Sequence, residues 1–252
     1  MRPFKIAIVV FVLVLSVSIS LNAVAQKGPS FIGITGGLSI PTGNWAKSNF
    51  VSSVSGFVSD PSGYAKKGGI SGVEGAYFFS KHFGIGALAN YAAYKTNIKP
   101  LSDGYQDSFD VDQVTTTASG YKIWNFMPGL YFDLPVCKKL AVTARALAGI
   151  SYATTPSIAV DVEDGGNDDG TFEQKEASKT AFAFDLGAGL SYRIVKCVAI
   201  NLKADYFNTK PDFTIENTQR VNSAGRRIDS YNQPLAAINV SLGVAYVFGK
   251  NK

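Results

Sequence analysis

Six ionisable side chains inside the apolar stretches of this chain share one face: Glu74, Arg145, Asp185, Arg193, Lys203 and Asp205. These stretches alternate, and alternate side chains of a strand point to opposite faces. In 235–248, Ile238, Val240, Leu242, Val244, Tyr246 and Phe248 oppose Ala237, Asn239, Ser241, Gly243 and Ala245. In 198–207, Val198, Ile200, Leu202 and Tyr206 oppose Asn201, Lys203 and Asp205. A soluble barrel turns its polar side chains outward and fills its core with apolar ones. Here the apolar face carries no charge away from the ends of the stretches, and a Lys or Arg on a lipid face at the bilayer midplane costs about 2–4 kcal/mol. The pattern therefore predicts strands with lipid outside and polar groups within.

Eight segments show this period: 31–40, 70–79, 83–94, 121–132, 140–152, 180–193, 198–207 and 235–248. Their lengths suit tilted strands, which need roughly 9–11 residues to cross the hydrocarbon core. The connections alternate between short turns (80–82, 133–139, 194–197) and long polar stretches (41–69, 95–120, 153–179, 208–234). The expected fold is all-β, an eight-stranded antiparallel up-and-down transmembrane β-barrel, with short turns in the periplasm and long loops outside. Both chain ends are then periplasmic. Two aromatic girdles are expected. One holds Phe79, Phe83, Phe132, Tyr192, Tyr246 and Phe248, and the other Tyr91, Tyr121, Trp124, Tyr152, Phe182 and Tyr206. Pro128 lies mid-strand, where it removes a ladder donor, and predicts a bulge.

An eight-stranded barrel encloses little more than its own side chains, and buried charges need partners. The six inward charges therefore predict a lumen filled by a charged hydrogen-bond network, loosened by inward glycines such as Gly187 and Gly189; the alternative is an ion path. The first 25 residues read as a cleavable signal peptide. Arg2 and Lys5 precede the apolar run 6–15, and Ala23-Val24-Ala25 forms a cleavage site before Gln26. A retained anchor needs roughly 20 apolar residues, and no lipobox cysteine follows the run. Domain 26–252 is then the barrel. Loss of Arg2 and Lys5 lowers the formal charge from +5 to +3, too little to imply nucleic acid.

The residues 36–43 (Gly-Gly-Leu-Ser-Ile-Pro-Thr-Gly) and the ending Gly243-Val244-Ala245-Tyr246-Val247-Phe248 resemble the first and last strands of small Gram-negative outer-membrane barrels. These form the OmpA/OmpX-like and porin-family group. The resemblance spans the mature chain. It implies lipid and lipopolysaccharide as surroundings and recognition of Tyr246 and Phe248 by the barrel-assembly machinery; without a periplasmic peptidoglycan-binding domain in this sequence, a cell-wall tether of the full-length OmpA kind is not implied.

Catalytic chemistry is sparse. Barrel enzymes of this membrane need a histidine at the outer side or the lipid edge, and the single histidine, His82, sits in a periplasmic turn beside Lys81. No phosphate loop, dinucleotide fingerprint or zinc spacing is present, so no cofactor is expected. Cys137 and Cys197 occupy two short turns in an oxidising compartment. They can form a disulfide only if their Cα atoms approach within about 7 Å. Asp161, Glu163, Asp164, Asp168 and Asp169 make the third loop acidic, as a solvated surface or a weak cation site. The fourth loop is basic (Lys210, Arg220, Arg226, Arg227), and the two can dock by charge. The expected function is a non-enzymatic structural or surface-interaction role with an unknown extracellular ligand. The alternative is a narrow porin or carrier for small or hydrophobic solutes.

Overall fold

Alternation builds two sheets in this protein. The computed structural model describes residues 28–49, 62–109, 113–164, 167–221 and 223–249; the leader expected over 1–25 lies outside them. The elements run β1 (Ser30–Thr42), β2 (Ala65–Phe78), β3 (Phe83–Thr96), α1 (Ile98–Phe109), β4 (Gln113–Ala118), β5 (Tyr121–Pro135) and β6 (Leu140–Thr154). They continue with β7 (Ile158–Asp164), β8 (Asn167–Gln174), β9 (Ser178–Val195), β10 (Val198–Thr209), β11 (Asp212–Val221), β12 (Ser223–Asn232) and β13 (Leu235–Phe248).

Eight strands close a barrel in the order β1-β13-β10-β9-β6-β5-β3-β2. Every pair is antiparallel, and β13 returns to β1 in register from Ser30↔Phe248 to Thr42↔Ala236. This is the up-and-down meander that the eight periodic segments predict. The apolar face points outward: Ile34, Phe182 and Leu242 are 65%, 69% and 58% exposed. Glu74, Asp185, Lys203 and Asp205 are buried inside. No helix among the described residues is long and apolar enough to cross a membrane, which does not bear on strands.

Three expectations need correction. Three of the long connections, 95–120, 153–179 and 208–234, are largely folded, since β4, β7, β8, β11 and β12 form a second, five-stranded sheet in the order β12-β11-β8-β7-β4. Its strands obey the same period: Val160, Phe213 and Ile215 are buried while Asp161, Asp212 and Thr214 face out. Pro156 and Pro211, which cannot donate to a ladder, stand between this sheet and barrel strands β6 and β10. Pro128 makes no bulge. It faces outward opposite Ala87, and β5 keeps one register with β6 on either side of it, Phe126↔Ile150 and Gly129↔Leu147. Tyr121 leaves the girdle. It is inward and only 4% exposed, its ring 5.5 Å from Trp45 and its hydroxyl donating to the Gly63 carbonyl at 3.0 Å.

Candidate functional site

The lumen is organised in tiers. At the long-loop end, Trp45 follows β1 in a short 3-10 turn and is fully buried. Its ring packs edge-on against Tyr94 and Tyr121, with centroids 4.5 and 5.5 Å away. Phe213, Ile215 and Leu235 extend the same cluster into the base of the second sheet. Sequence patterning misses this lid, because Trp45 stands alone among Gly, Asn and Ser. Below it lies a neutral polar tier. Ser39 Oγ meets Tyr94 Oη at 2.6 Å and Asn239 Oδ1 at 2.5 Å, and Asn125 Nδ2 donates to Asn90 Oδ1 at 2.7 Å.

The next tier gathers five of the six inward charges. Backbone pairing sets Arg145 beside Gly187, and Gly187 beside Asp205, in one row across β6, β9 and β10. Neighbouring strands are about 4.8 Å apart, so a guanidinium can reach Asp205 only if the middle residue leaves the space open. Gly187 does so: a Cβ there would overlap Asp205 Oδ1. Arg145 donates through Nε to Asp205 Oδ1 (3.0 Å), with Nη2 2.9 Å from Oδ2, the bidentate geometry favoured by guanidinium and carboxylate. Its Nη1 crosses the lumen to Glu74 Oε2 on β2 at 2.7 Å. Lys203 also pairs with Glu74. Asp185 Oδ1 lies 3.2 Å from Arg145 Nε, yet neither Asp185 oxygen accepts a hydrogen bond. Three carboxylates thus face two cations in a fully buried layer. Arg193, the sixth charge, stands apart at the short-turn end, where its backbone N–H donates to the Lys139 carbonyl at 2.7 Å.

The network fills only part of the lumen. Between it and the short turns lies a cavity of about 350 Å³. Phe31, Phe78, Ala199, Ala245 and Val247 wall it, and Arg145, Lys203 and Asp205 form its floor. Phe31 covers part of that floor, its ring 5.6 Å from Lys203 Nζ and edge-on to Tyr131. Lys138, Lys139 and Arg193 line the mouth with Asp133 and Cys137. The two cysteines are exposed and unpaired on separate turns, without the disulfide. Backbone N–H groups of Lys139 and Leu140 pull the Cys137 thiol below its ordinary range. His82 Nδ1 lies 2.9 Å from the Asp133 carbonyl oxygen on the same end of the barrel.

In the second sheet, Asp161 and Glu163 are exposed along β7. Among the described residues no three His, Cys, Asp or Glu side chains converge as a metal site. The side chains of Asp164, Asp168 and Asp169 lie outside the described set. The third and fourth loops do meet, but through a backbone ladder from Asn217↔Gln174 to Arg220↔Thr171. The charges at that junction reverse the expected signs: Glu216 of the fourth loop pairs with Lys175 of the third (2.9 Å) and with Arg226 (2.7 Å). These two cations hold the Glu216 carboxyl below its usual range. On β13, the outward Tyr246 and Phe248 rings stack at 6.3 Å, above the pairing with β1 that closes the barrel.

The family model for the outer membrane protein beta-barrel domain matches residues 9–248. The chain belongs to this family. Its place is therefore the outer membrane. Among solved structures it is similar to Neisserial surface protein A, at 12% identity and a TM-score of 0.44, with 88% of this chain and 100% of that one covered. It is also similar to a major outer membrane protein from Thermus thermophilus, at 12% identity and 0.47, covering 88% and 100%. A third is Ail, the attachment invasion locus protein of Yersinia pestis, at 14% and 0.39, covering 88% and 100%. No curated protein matches the chain in sequence.

Proposed function

We propose that this outer-membrane barrel is a non-enzymatic surface-interaction protein, whose working part is the second sheet and whose lumen is a structural plug. The supporting observation is that three of the long connections fold into a five-stranded sheet with two strand edges, β4 and β12, unclaimed by any further strand among the described residues. An edge strand presents unpaired backbone donors and acceptors, a template for an extended partner segment. On β12, Ile228 adds an apolar side chain that is 63% exposed. Helix α1 covers β4, with Ser102 Oγ donating to the Val114 carbonyl at 3.0 Å, so β12 is the more open edge. In this reading the sheet is extracellular, the short turns and both ends of the barrel are periplasmic, and residues 1–25 are removed on export. The position of His82 in a turn, hydrogen-bonded to a backbone carbonyl, supports a role without catalysis.

Replacing 213–231 with a short Gly-Ser turn tests the proposal. A library of extended peptides should yield binders held by intact cells carrying the wild-type barrel and not by cells carrying the shortened barrel at equal surface density. Equal binding by both sinks the surface reading. Planar-bilayer recordings test the plug separately: wild type is expected to give no steady conductance, and large stable channels would favour a porin.

A further inference from the structure

We propose that the cavity at the short-turn end is a binding site for a single-chain amphipathic anion, taken up tail first with its headgroup held at the mouth. The inference does not depend on the surface reading above. Its volume of about 350 Å³ falls within the range of small-molecule sites, roughly 300–1,000 Å³. Gly187 at the floor and Arg193 at the mouth stand six positions apart on β9. That is about 20 Å along a strand, or roughly 15 Å of depth at a tilt near 40°. The site is thus narrow and deep, with Thr143, Ser191 and Asn201 interrupting walls that are otherwise mostly apolar, the shape of a short alkyl chain seated end-on.

Charge fixes the orientation. The floor cations are already claimed, since Arg145 and Lys203 face three carboxylates. That layer repels an anionic head, and the Phe31 ring lies over part of it. The mouth is the opposite. Lys138 and Lys139 make no ion pair among the described residues, and Asp133 is the lining carboxylate there, facing Arg193. A shallow depression beside the mouth adds Lys196 to the same basic rim. An anion gains at the rim what it loses at the floor.

The two native cysteines supply the test. Cys137 lines the cavity and Cys197 does not. Protein in phosphatidylcholine nanodiscs is treated with an uncharged maleimide, and each cysteine is followed by peptide mass spectrometry. Octanoate at ten times its apparent Kd should slow alkylation of Cys137 about tenfold and leave Cys197 unchanged. The double variant Lys138→Gln/Lys139→Gln, whose changes are confined to an exposed turn, should raise the apparent Kd about three- to tenfold. Ala199→Leu, which fills the cavity from its wall, should remove protection, with its Cys197 rate reporting an intact fold. A lyso-phosphatidylglycerol arm distinguishes a lipid source from a free alkyl carboxylate. Octanol protecting as well as octanoate, equal slowing at both cysteines, no slowing at all, or full protection in both variants each overturns the assignment.

Discussion

Arg145 holds the inner charges together, and the residues around it respond in opposite directions to substitution. Arg145→Ala leaves Glu74, Asp185 and Asp205 facing one ammonium, and breaking a buried pair in this way costs about 3–5 kcal/mol. Asp185 is the badly placed member, fully buried with no hydrogen bond to either oxygen. Asp185→Asn keeps the shape and removes the excess negative charge, so it should match or exceed the wild type. Urea unfolding of the two variants in lipid vesicles checks the sign, and equal losses would contradict this description of the layer. The membership of the layer is legible in the sequence because strand period sorts side chains by face. Its geometry is not, because height in the barrel and the pairing of Arg145 with Gly187 depend on register, which no local pattern states. For that reason strand period groups Arg193 with charges it does not touch, and makes Gly187 look like a loosening of the layer it makes possible.

Among the elements, the second sheet depends on the junction of β8, β11 and β12. Glu216 bridges Lys175 and Arg226, and Lys175 N–H also donates to the Glu216 carbonyl at 3.0 Å. A carboxyl held below its ordinary value of 4.5 contributes stability that is present above that value and lost as pH falls through the lowered one. The pair is exposed, so salt weakens it. Amide exchange in β11, corrected for intrinsic rate, should therefore be faster in Glu216→Gln than in wild type at neutral pH and low salt. The difference should shrink as pH falls below the ordinary carboxyl value or in 1 M salt; a constant difference would assign the effect to packing instead. The barrel strands are legible from long alternating runs. The outer strands alternate as well, Ile158, Val160 and Val162 against Ala159, Asp161 and Glu163, but their short runs lie among turn-forming residues and resemble solvated loop.

At the scale of the molecule, both cysteines sit at one end of the barrel, which makes orientation measurable. If the short turns are periplasmic, a polyethylene-glycol maleimide too large for the outer membrane should label neither cysteine in intact cells and both after permeabilisation. Labelling of intact cells would invert the topology. Closure itself is legible from an even strand count and a uniform alternation of connections. The occupancy of the lumen is not, since it depends on which inward residues share a level. The layer around Arg145 also has a place in time. Glu74 and Lys203 are 129 residues apart, and Arg145 reaches Glu74 across 71. β2 and β10 lie five strands apart on the open sheet and three apart once β13 meets β1, so the Glu74–Lys203 pair waits for the first and last strands to meet, whereas Arg145 and Asp205, with only β9 between their strands, pair without closure. Interactions absent from the transition state act on the rate of unfolding and leave insertion nearly untouched. Lys203→Gln should thus insert at close to the wild-type rate and come apart on the order of a hundredfold faster, its pairing with Glu74 serving as a clasp that shuts last and sets how long the closed barrel endures.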